Sequence, residues 1–252
     1  MGRPILVTGG TGTLGRVVVD RLRGAGCQTR VLSRRAGPGR VVGDLRSGAG
    51  VEDAVRGVAV IVHCASAPGH DVAATRCLID AAWRAGPNAA LVLVSIVGVD
   101  RVPLGYYREK LAVERLVENA GLPWTIQRAT QFHDLLARLF GALARSPVLP
   151  VLAGTSVQPV DVHDVAERLV RLAVSAPAGR ASDLGGPQVR PMADLARTWL
   201  AATGRRRVVL PVRLPGAVVR GYRRGEHLAP DHAEGRITFQ EYLTGSPTRD
   251  RP

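Results

Sequence analysis

Tyr106 and Lys110 stand four residues apart in the stretch GYYREK, and Lys110 is the sole lysine of a 252-residue chain that also carries 33 arginines. Residues i and i+4 of a helix share a face, so on a helix the phenol and the ammonium can reach one another and one common ligand. A phenol, with an ordinary pKa of about 10, is a poor acid until a nearby cation stabilises its phenolate. With that help it can protonate an oxygen on which negative charge builds, as when hydride is delivered to a carbonyl. A compact ammonium on a reaching stem suits this part better than a planar guanidinium, which gives a reason for lysine at one position in an arginine-rich chain. Tyr107, three residues before Lys110, competes for the acid's part. A third group should orient the substrate oxygen, and Ser95 in LVSIVG is the hydroxyl near the end of the apolar run that precedes the pair.

A hydride donor has to be held beside such a constellation. The first apolar run leads into TGGTGTLG, in which Gly9, Gly12 and Gly15 are spaced by three and Thr11, Thr13 and Leu14 fill the loop, directly before the helical pattern RVVVDRLRGAG. Glycines so placed allow a tight turn, close approach of backbone to a pyrophosphate, and close helix packing, with the phosphates at the helix N-terminus. An NAD site places a carboxylate about 20 residues further on, against the ribose 2'-hydroxyl. Between Asp20 and Asp44 this chain has no acidic residue, and Ser33, Arg34 and Arg35 close the second run instead. Guanidinium groups there suit a 2'-phosphate, so NADP(H) is expected in preference to NAD(H), which remains possible.

The elements that must position these residues read as alternating strands and helices. Apolar runs at 4–10, 28–33, 39–45, 58–66, 90–98 and 124–130 are separated by helix-like spacings such as Val17, Val18, Leu22 and Ala74, Cys77, Leu78, Ala81. Continuous apolar strands each followed by a helix predict an α/β fold, a Rossmann-like doubly wound parallel sheet. From about residue 145 the rhythm becomes shorter and proline-rich. There SVQPVDV reads as a strand, HDVAERLVRLAVSA as a helix, and ASDLGGP as a further strand and turn. The expected division is a dinucleotide-binding domain over 1–150, a small α/β substrate lobe over 151–245 interleaved with the sheet edge, and a disordered tail at 246–252. The lobe is expected to fold onto the carboxyl edge of the sheet, where open α/β sheets bind ligands.

The net charge is +13, but arginines are spread from Arg3 to Arg251 and aromatics are only 4% of residues, without the basic stripe and interleaved rings of a nucleic-acid surface. No nucleic-acid or membrane partner is expected. Cys27, Cys64 and Cys77 are odd in number and fall in apolar segments, which favours packed, reduced thiols and the cytoplasm over a disulfide framework. The N-terminal apolar stretch is too short for a signal peptide or a membrane span.

The glycine motif, GDL at 43–45, HCAS at 63–66 and Tyr-x-x-x-Lys at 106–110 together resemble the short-chain dehydrogenase/reductase superfamily, and more closely its atypical, NmrA-like NAD(P)H-binding members. TIQRATQFHDLL, QPVDVHDVA and LGGP are further similarities, and the resemblance covers about residues 4–190. It implies that Asp44 and Leu45 flank the adenine and that Cys64, Ala65 and Ser66 line the cofactor, with Cys64 packed rather than reactive. It also implies that Lys110 contacts the nicotinamide ribose, and that Gln131, Phe132 and His133 lie between nicotinamide and substrate. Where relatives carry further small hydroxyl residues after the fifth strand, this chain has Ile96 and Val97.

The other polar clusters read as structure. Asp161 in VDVHDVA looks like a helix N-cap rather than part of a metal site with His163 and Asp164, and no metal site is expected. Glu226, His227, Asp231, His232 and Glu234 lack ligand spacing and read as solvated surface. Trp199, Tyr222, Phe239 and Tyr242 either close a hydrophobic pocket or form the core of the small lobe.

The reading that follows is an NADP(H)-dependent oxidoreductase acting on a small hydrophobic carbonyl or quinone-like compound, as a monomer or homodimer. The alternatives are a tailoring enzyme performing a hydroxylation or coupling step in natural-product biosynthesis, and a non-catalytic NADP(H)-binding redox sensor.

Overall fold

The computed structural model describes residues 3–245; the tail expected to be disordered lies outside them. Strands β1 (Ile5–Thr8), β2 (Thr29–Ser33), β3 (Arg40–Val42), β4 (Val60–His63), β5 (Ala90–Ile96), β6 (Trp124–Ala129) and β9 (Gly179–Arg180) form one sheet in the order β3-β2-β1-β4-β5-β6-β9. Its hydrogen-bonded ladders β1–β2, β2–β3, β1–β4, β4–β5 and β6–β9 are parallel. β1 is buried along its whole length, as a strand covered on both faces must be. The chain runs outward from β1 through β2 to β3, then returns to β4 on β1's other side. This puts a topological switch point between the carboxyl ends of β1 and β4.

Connecting helices are α1 (Thr13–Gly24), α2 (Val51–Val55), α3 (Asp71–Arg84) and α4 (Gly105–Glu118). On α1 the buried side chains Leu14, Val18, Val19 and Leu22 form one stripe, the 3.6-residue spacing that the sequence pattern implies. α2 and α3 pack their apolar faces onto a core that includes Leu6, Leu32, Ile61, Leu78, Leu91 and Ile126.

The later elements are α5 (His133–Leu143), β7 (Val148–Leu152), β8 (Ser156–Val157), α6 (Val162–Val174), β10 (Arg190–Pro191), α7 (Met192–Ala202), β11 (Val208–Val212), α8 (Ala217–Arg223) and α9 (Phe239–Thr244). β7 and β11 pair in parallel, and β8 and β10 antiparallel. A second core joins Leu136, Phe140, Leu149, Leu195, Trp199 and Phe239.

These contacts divide the chain into two compact units. Among the described residues, one comprises 3–95, 105–128 and 165–182, and the other 96–104, 129–164 and 183–245. In place of one cut at residue 150, the chain passes between units several times, because β9 and most of α6 return to the sheet-bearing unit. Two expected strands are also shorter than their apolar runs. In SVQPVDV the ladder holds only Ser156–Val157, with a single further bridge from Val160 to Phe132, since Pro159 has no N–H to donate and Asp161 turns back to cap α6. In ASDLGGP only Leu184 forms a bridge, to Ala129, ahead of two glycines and a proline.

Candidate functional site

The glycine loop lies at the carboxyl end of β1. Gly9 has φ +66°, and a Cβ there would stand 2.6 Å from the Ala65 nitrogen. The loop therefore meets the segment after β4 at a separation only glycine permits. A Cβ on Gly15, in the first turn of α1, would collide with the Gly9 carbonyl. Gly12 donates its N–H to Gly9 O at 2.9 Å and is the N-cap of α1, where no side chain caps the helix and no acidic residue sits in the first turn. The α1 N-terminus thus carries the positive end of its helix dipole with no side-chain cap, which favours an anion. Thr11 and Gly12 are exposed and Thr13 half-buried, while Leu14 packs into the core, so its part in the loop is to anchor it.

At the end of β2, the buried Ser33 hydroxyl donates to Arg35 O at 2.9 Å and accepts the Arg35 N–H, a turn that presents Arg34 and Arg35 to solvent. Asp44 also shapes a turn, accepting the Arg46 N–H on Oδ1 at 3.0 Å and the Gly48 N–H on its carbonyl. Leu45 is buried in the core of this unit.

Beyond β4, burial pushes the Cys64 thiol up to about 12, against the opposing pull of the Lys110 ammonium, which fits a packed and unreactive cysteine. The neighbouring His63 is fixed at both ring nitrogens, Nδ1 lying 2.6 Å from Thr8 Oγ1 and Nε2 3.1 Å from Thr75 Oγ1. Thr75 spends its proton on Asp71 O, so it accepts from His63 Nε2–H, and Thr8 then donates to Nδ1. Burial first, and the Lys110 charge second, lower this imidazole to about 4 and keep it neutral.

The acid–base cluster assembles around α3 and α4. Tyr106 and Lys110 share one face of α4, with Nζ 5.8 Å from the ring centroid. The buried ammonium pairs with Asp71 Oδ2 at 3.0 Å. Asp71 also accepts from Ser66 Oγ at 2.8 Å and from the Ala67 N–H, and Ser66 Oγ lies 3.0 Å from the Tyr106 hydroxyl. Since the Ser66 proton is committed to Asp71, Tyr106 donates to Ser66. Burial alone would raise the Asp71 carboxyl, but Lys110, the Ala67 N–H and Ser66 outweigh it and hold it below its ordinary value. Glu109, one residue before Lys110, accepts the Gly69 and Asp71 N–H groups at 2.8 and 2.9 Å and so fixes the entry to α3. Tyr107 is buried, whereas Tyr106 is half-buried with its hydroxyl at Ser66.

Ser95 is not the hydroxyl that meets Tyr106. It is 3% exposed, its Oγ makes no hydrogen bond of regular geometry, and its influence falls on the Glu114 carboxylate, one turn beyond Lys110. Glu114 is wholly buried and accepts from Arg128 Nε at 2.9 Å and Nη2 at 2.7 Å, and from Arg180 Nη1 at 2.9 Å.

In the other unit, His133 is fully buried, with Nε2 2.9 Å from the Ile237 carbonyl and its ring against Phe239 and Tyr242 at 5.5 and 5.2 Å. Burial lowers this imidazole too. That is the setting of a core histidine, not of a side chain open to substrate. Phe132 and Gln131 are half-buried, Phe132 as the N-cap residue of α5. Asp161 accepts the His163 N–H at 2.9 Å at the start of α6, as a cap should. His227 departs from the expected solvated surface: it is buried, stacked on Tyr222 at 4.2 Å, bonded through Nε2 to Ser156 O, and lowered by burial to about 4. Trp199, Phe239 and Tyr242 belong to the core of this unit. Among the described residues no group of His, Cys, Asp and Glu could hold a metal ion, and no helix is long and apolar enough to cross a membrane.

The family model for NAD(P)H-binding proteins matches residues 9–173, from the glycine loop to the end of α6. The chain belongs to this NAD(P)H-binding family. An NAD(P)H azoreductase of Xenophilus azovorans is 27% identical over 97% of this chain and 94% of its own length. A (4-alkanoyl-5-oxo-2,5-dihydrofuran-3-yl)methyl phosphate reductase of Streptomyces griseus subsp. griseus gives the same identity and coverage. In structure, an Escherichia coli NADPH-dependent quinone oxidoreductase solved with NADPH superposes with a TM-score of 0.81, at 19% identity, over 96% of this chain and 99% of its own.

The family binds NAD(P)H, and features of the glycine loop fit such a ligand: an α1 with no side-chain cap, close backbone approach at Gly9, and a segment Cys64–Ser66 that meets both the loop and Tyr106. Of the residues expected from the sequence, the structure brings Ser66, Tyr106 and Lys110 together, and it adds Asp71, Glu109 and His63, which the sequence pattern did not single out. One signal for Asp71 was available: a lone lysine buried on α4 requires a counter-charge, and Asp71 opens the preceding helix.

Proposed function

We propose that this protein is an NADP(H)-dependent oxidoreductase that delivers hydride to a small hydrophobic carbonyl or quinone-like compound, with Tyr106 as the proton donor and Lys110 as its electrostatic partner. The observation that carries the reading is the continuity of the glycine loop with the acid–base cluster. Gly9 abuts Ala65, the adjacent Ser66 hydroxyl touches Tyr106, and Tyr106 shares a helical face with Lys110. When bound, a nicotinamide dinucleotide supplies the hydride. The α1 N-terminus and the backbone of Gly9 to Thr13 hold its phosphates, and Cys64, Ala65 and Ser66 line its path. Arg34 and Arg35, with no carboxylate partner among the described residues, receive a 2'-phosphate and favour NADPH over NADH. The Tyr106 hydroxyl protonates the substrate oxygen as charge develops there, and the Lys110 ammonium stabilises the phenolate left behind. The names of the two relatives, both reductases, support reductive chemistry, and the name of the quinone oxidoreductase is in keeping with a quinone-like substrate.

The test measures NADPH and NADH affinities first and then screens NADPH oxidation over quinones, aldehydes, ketones and azo compounds. Turnover on carbonyls or quinones with NADPH bound more tightly than NADH is the expected result. Tight NADPH binding with no turnover on any compound would instead favour a redox sensor.

A further inference from the structure

We infer that Asp71 is a positioning residue of this site: it neutralises Lys110 and, through Ser66, directs the Tyr106 hydroxyl in the resting protein. The inference rests on the reading of Tyr106 and Lys110 as the acid–base pair. Three observations carry it. The Asp71 and Lys110 side chains are 4% and 7% exposed and stand 3.0 Å apart, so the ammonium's field reaches Tyr106 only in company with an opposite charge. The hydrogen bonds run in one direction, Tyr106 O–H to Ser66 Oγ and Ser66 O–H to Asp71 Oδ2, because the carboxylate can only accept. Finally, Asp71 is itself held, its N–H by Glu109, its carbonyl by Thr75, and its carboxylate by the Ala67 N–H.

The charges facing the pair are few. From β4 and the segment after it come His63 and Cys64, the first neutral above about 4 and the second below about 12. From α3 comes Asp71, and from α4 itself come Glu109, whose two carboxylate oxygens are taken up by backbone N–H groups, and Glu114, one turn on, whose charge is met by Arg128 and Arg180. Across neutral pH, Asp71 is therefore the anion that opposes Lys110 at the phenol. Two consequences follow. The resting Tyr106 hydroxyl is aimed at Ser66, an acceptor that is itself tied to a carboxylate. Removing that carboxylate leaves Lys110 uncompensated and makes the phenolate easier to form.

The experiment is an ultraviolet absorbance titration of tyrosinate in the full-length protein with NADP⁺ bound, with the Tyr106 contribution isolated by subtracting a Tyr106→Phe variant in each background. Asp71→Asn is expected to lower the Tyr106 midpoint by about one pH unit or more, and Asp71→Glu to restore it at least in part. A merely structural role for Asp71 would lower stability and leave the midpoint within about 0.3 unit, which would overturn the inference. Should Asp71→Asn fail to fold, Ser66→Ala decides. It removes the acceptor that favours the neutral phenol, so a downward shift supports the inference and an unchanged midpoint overturns it. The titration needs no turnover. A shift without NADPH oxidation on any substrate keeps the role of Asp71 and removes the oxidoreductase reading, and turnover without a shift does the reverse.

Discussion

Replacing Glu114 with alanine tests whether the ion cluster behind the acid–base pair holds α4 to the sheet. The Glu114 side chain is fully buried, and the Arg128 fork, 13% exposed, grips both its oxygens at 2.9 and 2.7 Å. Deleting the carboxylate takes from the largely buried Arg128 guanidinium the anion that grips it at two points, a defect that costs about 3 kcal/mol. Arg180 is 42% exposed and can turn to water, so its share is small. Urea denaturation of wild type and Glu114→Ala measures the loss directly. The double variant Glu114→Leu with Arg128→Met removes both charges and should recover most of it, because burial of an ion pair offsets its own attraction. A loss below about 1 kcal/mol in the single variant, or a double variant that loses the sum of the two single effects, would refute the argument. The sign with pH is fixed as well. Glu114 has its folded value lowered by Arg128, Ser95 and Arg180 against the upward push of burial, so its stabilisation is present above the unfolded carboxyl value and fades as pH falls through the folded one.

Replacing Arg34 and Arg35 together with alanine should weaken NADPH at least tenfold, worth about 1.4 kcal/mol, and leave NADH unchanged, as read by calorimetry. Gly15→Ala drives a methyl group into the Gly9 carbonyl, so cofactor binding should fall below detection while urea unfolding shows a loss on the order of 2 kcal/mol. His63 and His227 each sit near 4 when folded against an ordinary 6.5, so the unfolded chain takes up their protons first. Stability is therefore full above about pH 6.5 and falls by on the order of 1 kcal/mol per pH unit for each histidine down to about 4. The slope measured by denaturation across that window should lessen in His63→Gln.

The sheet was legible because its strands are continuous apolar runs, and a strand buried on both faces leaves no alternation to confuse with a helix. The glycine loop was legible because each of its glycines answers a local demand, visible where a Cβ on Gly9 or Gly15 has no room. Tyr106 and Lys110 could be found because i and i+4 is itself a statement of geometry. What could not be read is what depends on long-range pairing. Asp71 and Lys110 are 39 positions apart, and nothing in the local spacing joins them. Ser95 looked like the hydroxyl partner because it ends the fifth strand, yet its influence falls on Glu114, while Ser66 from another strand end reaches the phenol. His133 was expected beside the substrate and His227 on the surface because their partners, the carbonyls of Ile237 and Ser156, lie about 100 and 70 positions away and carry no side-chain signature.

The most direct test of the central claim is kcat/KM for NADPH-dependent reduction of the best carbonyl substrate by wild type and Lys110→Met, each first shown to bind NADPH. If the ammonium supports proton donation by Tyr106, the variant should lose about 100-fold or more. A variant within about threefold of wild type would contradict the account.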